Sequence, residues 1–188
     1  DARFSTITIA GHSEGSLIGM IAAARGADAF VSIAGPARPA GAILREQLKP
    51  RLLPDLAKQA ERILAALESG ATAENVPAPL APLYRSSVQP YLISWLKYDP
   101  SVELARLTIP VLIVQGTTDV QVPVGEAHAL KKASPKADVA IIDGMNHVLK
   151  SVAGDAAQQM PSYSDPKLPV APELIERVSA FVKRVAKK

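Results

Sequence analysis

The chain has 188 residues, 48% of them hydrophobic and 21% charged, enough for one domain with a substantial core and too apolar for intrinsic disorder. It contains no cysteine, which excludes a disulfide scaffold and any thiolate metal site. Its 21 Lys and Arg against 18 Asp and Glu leave a net charge of +3, too mild and too dispersed for a nucleic-acid surface, and no apolar run approaches the ~20 residues needed to span a bilayer.

Residues 7–10 are short and β-branched and predict a strand. They run into Gly11-His12-Ser13-Glu14-Gly15, after which Leu17, Met20, Ile21 and Ala24 recur at helical spacing. Gly15 and Gly19 each cost such a helix roughly 1 kcal/mol against Ala and offer close approach to whatever lies beneath. A second strand is expected over 29–34, closed by Gly35-Pro36.

Residues 37–107 have a different character. Leu44, Leu48 and Leu52 fall four apart, and Leu56, Ala60, Ile63, Leu64 and Leu67 predict a second amphipathic helix ended by Gly70. Pro77, Pro79, Pro82 and Pro90 follow, with a short aromatic segment, Tyr91 to Tyr98, that contains Trp95. This stretch reads as a helical insertion between two strands.

Two continuous apolar strands follow at 111–114 and 139–142, the pattern of a parallel sheet covered on both faces by helices. Between them Pro123 opens a helix that extends to Lys132. Residues 149–169 show no period and are expected to form a long loop. Leu174, Ile175, Val178, Phe181, Val182 and Val185 then define one face of a final helix that begins near Pro172.

The sequence Gly-x-Ser-x-Gly after a strand and before a helix is the setting of a nucleophile elbow. Ser13 is expected in a strained backbone conformation, with Gly11 and Gly15 removing Cβ atoms that would clash. The amide of Glu14, at the helix N-terminus, can donate to an oxyanion as charge develops.

A serine needs a base. His12 is adjacent to Ser13, so its ring should point away from the hydroxyl and serve a structural hydrogen bond. His128 falls within a predicted helix and reads as solvent-facing. His147 lies just past the last strand, on the edge where the C-terminal ends of parallel strands open, and is assigned as the base. Asp119 follows the strand at 111–114 and is assigned as the acid. Its rival Asp143, four residues before His147, reads as a turn former ahead of Gly144, and Asp99 belongs to the insertion.

Gly11-His12-Ser13-Glu14-Gly15, Gly116-Thr117-Thr118-Asp119 with Val122-Pro123, and Gly144-Met145-Asn146-His147 resemble the three signature blocks of the α/β-hydrolase superfamily. The order Ser13, Asp119, His147 is the one that superfamily uses. More narrowly, the chain is similar to bacterial serine esterase-like members related to dienelactone hydrolases and the serine aminopeptidase group. The resemblance covers the whole chain but only the second half of the family pattern.

The resemblance implies an α/β-hydrolase fold, with a mostly parallel sheet, flanking helices and a helical cap insertion at about 37–107. Residues 1–188 would be the C-terminal portion of one such domain. Its N-terminal strands, together with the second oxyanion donor, would lie in an upstream segment of the same protein that partners a chain beginning at Asp1. The implied activity is cleavage of a small-molecule carboxylic ester through an acyl-enzyme on Ser13, with Asp119 and His147 completing the triad and no metal or organic cofactor. A peptidase or thioesterase on the same triad, a non-catalytic binding module and an inactive fragment are the alternatives. Tyr84, Tyr91, Leu92, Trp95 and Tyr98 are the candidates to contact substrate from the cap, unless they only pack it.

Overall fold

The computed structural model describes residues 3–152 and 154–186, so Asp1 lies outside the described residues. Along the chain the elements are β1 (Thr8–His12), α1 (Glu14–Ala23), β2 (Ala29–Ile33), α2 (Ala40–Leu48), α3 (Pro54–Glu68), a 3-10 turn (Ala78–Leu80), α4 (Ala81–Tyr84) and α5 (Gln89–Leu96). There follow α6 (Pro100–Ala105), β3 (Val111–Gly116), α7 (Val124–Ala133), β4 (Asp138–Ile142), α8 (Ala156–Ser164) and α9 (Pro172–Ala186). Two compact units result, one of residues 1–37 and 100–188, the other of residues 38–99.

The first unit is built on a parallel four-stranded sheet in the order β1-β2-β3-β4. Its two central strands are the most apolar, and β3 is buried throughout. Alternate residues serve opposite faces. Ala29, Val31, Leu112, Val114, Ala140 and Ile142 meet Leu174, Phe181 and Val185 of α9 on one face. On the other, α1 lies against β1 and β2, and Gly19 makes that approach possible, since a Cβ there would stand 2.7 Å from Cε2 of Phe30. Helix α7 packs on β3 and β4, and α6 packs against α1 and α7. Among the described residues β1 has a strand neighbour on one side only. The C-terminal ends of β1, β3 and β4 open on one edge, which delivers Ser13, Asp119 and His147 to the same side of the sheet.

The second unit is helical. Pro54 supplies the first turn of α3, Gly70 ends it with φ 86°, and Ala60, Ile63 and Leu67 form a core with Leu80, Tyr84 and Leu92. Gln89 is buried in this unit and ties the backbone together, donating to the carbonyls of Ala73 and Tyr84 while its own oxygen accepts from the Ala73 amide.

Three expectations need correction. The Leu44-Leu48-Leu52 spacing does not make one helix: α2 stops at Leu48, because Pro50 has no N–H to continue the ladder. Ile175 is 57% exposed, so the buried face of α9 runs through Leu174, Phe181 and Val185 instead. The stretch 149–169 is not all loop. It contains α8, started by a capping box in which Asp155 accepts from the Gln158 amide and the Gln158 side chain accepts from the Asp155 amide.

Candidate active site

Ser13 occupies the turn between β1 and α1 with φ 55° and ψ −123°, a conformation that costs a residue with a Cβ roughly 1–3 kcal/mol. Hydrogen bonds on either side hold it there: its N–H donates to the Ile33 carbonyl at 2.9 Å, and its carbonyl accepts from the Ser16 amide at 2.9 Å. Of the two flanking glycines only Gly11 is required by space. A Cβ on Gly11 would lie 2.0 Å from the Gly15 carbonyl oxygen, whereas a Cβ on Gly15 would meet nothing within 4 Å. Beneath the turn the buried hydroxyls of Ser16 and Ser32 share a hydrogen bond of 2.7 Å, which fastens α1 to β2.

Asp119 lies beyond the end of β3 in a loop wound around its own carboxylate. Its Oδ1 accepts from the amides of Gln121 and Val122, at 2.8 and 2.9 Å. Its Oδ2 accepts from Gln115 Nε2 at 3.0 Å and from His147 Nδ1 at 2.9 Å. Burial works to raise this carboxyl, but the hydrogen bonds from His147, Val122 and Gln121 outweigh it and hold Asp119 below its ordinary range. A carboxylate takes the Nδ1 proton as acceptor, which leaves Nε2 of His147 with its lone pair facing Ser13 Oγ, 3.0 Å away.

The histidine loop is braced from several directions. Gly116 lets it cross the end of β3, since a Cβ there would lie 1.9 Å from the Met145 carbonyl oxygen. Asn146 accepts from the Lys150 amide and donates to Ser162 of α8 at 2.8 Å. Lys150 in turn donates to the carbonyls of Ser162 and Asp165. His12 lies across the loop, with ring centroids of His12 and His147 5.0 Å apart. The His12 ring turns away from the serine, and its Nε2 donates to the His147 carbonyl at 2.8 Å. Desolvation by burial is the main cause that lowers the His12 pKa, which keeps that ring neutral.

The remaining sequence candidates divide clearly. Asp143 accepts the Thr117 hydroxyl at 2.9 Å, and the following Gly144 has φ 67°, so it terminates β4 as a turn residue. His128 is exposed on α7. Glu14 is the first residue of α1, so its N–H has no acceptor four residues back in the helix. In the helical unit Tyr84 and Leu92 are core residues, Tyr91 is exposed and stacks on Trp95 at 6.2 Å between centroids, and Tyr98 is partly exposed. Among the described residues no group of His, Asp or Glu is arranged to hold a metal ion.

The positioning roles of Gln115, Asn146 and Ser162 have no mark in the sequence, since such residues occur at strand ends and in helices of any protein. The Asp-x-x-Gln of α8 was the one legible signal in that region.

No family model matches the chain. Esterase EstD of Thermotoga maritima is 32% identical over 154 residues, which cover 80% of this chain and 37% of that protein. The chain therefore spans little more than a third of the length of the curated relative it matches. A solved carboxylesterase from the ammonia-oxidizing thaumarchaeon Nitrososphaera gargenis superposes with a TM-score of 0.53 at 16% identity, covering 96% of this chain and 65% of that one. A bromoperoxidase from Bacillus anthracis gives 0.51 at 18% identity, covering 97% and 69%. At these identities the two structures bear on the fold alone.

Proposed function

We propose that the chain belongs to the α/β-hydrolase superfamily and carries the catalytic residues of a serine hydrolase that cleaves carboxylic esters, a reading supported by the resemblance to Esterase EstD. The observation that carries this reading is the continuous hydrogen-bonded series Ser13 Oγ, His147 Nε2, His147 Nδ1, Asp119 Oδ2, with its two steps of 3.0 and 2.9 Å. It starts from a serine held in the left-handed region at a helix N-terminus.

In the proposed reaction Ser13 Oγ bonds to the ester carbonyl carbon while its proton passes to His147 Nε2. Asp119 keeps the imidazole in the productive tautomer and stabilises the imidazolium. The carbonyl oxygen becomes an oxyanion, to which the Glu14 amide donates; one such donor is worth on the order of 100- to 1,000-fold in rate. Collapse breaks the bond to the alkoxide, which leaves with the proton from His147. Water, deprotonated by the same His147, then releases the acid and restores Ser13. Within the helical unit Tyr84 and Leu92 act as packing, whereas Tyr91, Trp95 and Tyr98 retain exposed surface.

The test is covalent labelling by a fluorophosphonate, read by mass spectrometry and by hydrolysis of p-nitrophenyl esters. Modification at Ser13 and loss of turnover in Ser13→Ala are expected. A folded protein that resists the probe, or hydrolyses esters equally well after Ser13→Ala, refutes the reading.

A further inference from the structure

Val111 to Val114 carry β3 into the core, and Gln115, which follows them, is buried as deeply, with 1% exposure. An amide at this place calls for a reason, because the unbranched side chain of methionine would fill similar space without polar groups to satisfy. Gln115 Oε1 is buried and has no hydrogen-bond partner, and an unpaired buried acceptor costs stability. What Gln115 supplies therefore comes from its nitrogen. Nε2 donates to Asp119 Oδ2 at 3.0 Å and to the Val122 carbonyl at 2.8 Å, which uses both of its protons.

These two bonds differ in kind from the other contacts of the acid. Oδ1 of Asp119 is held by the amides of Gln121 and Val122, which belong to its own loop and travel with it. Oδ2 faces His147 Nδ1, which belongs to another loop and changes charge during the proposed reaction. The Asp119 side chain has no solvent-accessible surface, so protein groups alone set the plane of the carboxylate. Among the described residues Gln115 is the one group on the sheet that bonds to it. The bond to Val122 closes residues 119–122 against the strand they leave.

We propose that Gln115 is a positioning residue of the triad, which ties Asp119 Oδ2 to β3 and keeps it in line with His147 Nδ1 while the imidazole gains and loses its proton. Its kinetic consequence rests on the serine hydrolase reading, whereas its effect on the bond between Asp119 and His147 does not.

The test compares Gln115→Met with wild type in three measurements. In p-nitrophenyl butyrate hydrolysis kcat should fall roughly 3- to 30-fold while KM stays within about twofold, because Gln115 acts on the acid and not on substrate. The loss should not add to that of the acid itself, so Gln115→Met placed on Asp119→Ala should cost less than about twofold more. The third measurement needs no turnover: the Nδ1 proton of His147, followed by proton NMR, should exchange with solvent faster in Gln115→Met than in wild type. If Gln115→Met does not fold, Gln115→Asn, which draws the amide back by one methylene, takes its place throughout. A kcat kept within about twofold, a loss expressed in KM, or a loss that adds in full to that of Asp119→Ala would each overturn the proposal. So would an Nδ1 proton that exchanges no faster. A wild type that neither hydrolyses the ester nor takes up a fluorophosphonate refutes the serine hydrolase reading instead, and the exchange comparison then decides for Gln115 by itself.

Discussion

The sharpest perturbation is Asp119→Asn, which keeps size and shape and changes only donors and acceptors. Oδ1 receives two backbone amides, from Gln121 and Val122, and these cannot turn around. The oxygen of the introduced carboxamide must therefore occupy that position, which puts its NH2 where Oδ2 was. There it would face Gln115 Nε2 and His147 Nδ1, both donors to the carboxylate. Gln115 is held by a second bond from the same Nε2 to the Val122 carbonyl at 2.8 Å, so turning its amide over to accept from the new NH2 would forfeit that bond. His147 can only shed its Nδ1 proton to Nε2, and then nothing accepts the proton of Ser13 Oγ. A triad whose histidine is held in the wrong tautomer loses about 10,000-fold in kcat, or ~5.5 kcal/mol of transition-state stabilisation. Steady-state hydrolysis of p-nitrophenyl butyrate, with Ser13→Ala as the background, reads this directly. KM should hardly move, because no group that meets substrate has changed. Retention of kcat within tenfold would refute the assignment of Asp119 and with it the logic of the acid loop.

Other outcomes follow from the same geometry. His12→Phe removes the donor to the His147 carbonyl and should lower kcat roughly 2- to 10-fold at constant KM. Since burial lowers the His12 pKa below 6.5, the unfolded chain binds the extra proton first as pH falls through that value. Stability contributed by neutral His12 is therefore full above 6.5 and lost as pH drops toward the folded-state pKa, and thermal unfolding of His12→Phe should show a weaker acid dependence there than wild type. Gly11→Ala should cost on the order of 1–3 kcal/mol, because its Cβ would meet backbone that cannot yield, while Gly15→Ala should be neutral or gain up to about 1 kcal/mol. Urea unfolding of the two variants compares them, and equal effects would contradict the packing described for the turn. Asp155→Ala removes the cap of α8 and should loosen that helix by about 1 kcal/mol, visible as faster amide exchange around Ser162.

How much of the fold could be read in the sequence depended on how far each segment's periodicity was set by packing. The strands at 29–33 and 111–116 are buried on both faces, and their short, mostly apolar, β-branched stretches, bounded by Gly35-Pro36 and by Pro110 and Gly116, carry that burial in the sequence. Helix α9 was legible from its stripe, but a stripe read by spacing alone blurs at its margins, and Ile175 falls one position outside the buried set. Leu52 misled for the opposite reason: its spacing is helical, but Pro50 had already removed the donor that the next turn needed. Helix α8 escaped because its buried residues are polar. Gln159 and Ser162 face inward, and hydropathy registers neither as core.

That last point bears on why the three residues of the proposed site can be singled out in the sequence and the residues that brace them cannot. Ser13, Asp119 and His147 each follow a strand end, and a parallel sheet with all its C-terminal ends on one edge must bring those three stretches near one another. Nearness is not alignment. The backbone at Ser13 is held by a hydrogen bond to β2, the carboxylate by two amides of its own loop, and the imidazole by an acid on one side and His12 on its carbonyl. The loop that carries His147 then rests on Asn146, Lys150 and Ser162, which pass its position on to α8. Apart from the backbone bond from the Ser13 amide to Ile33, each support is a side-chain to backbone or polar side-chain contact between residues of common type, formed only after the sheet has placed them, so no spacing rule along the chain could reveal it. The supports are nevertheless what keep two hydrogen bonds of 3.0 and 2.9 Å in line across loops that share no secondary structure.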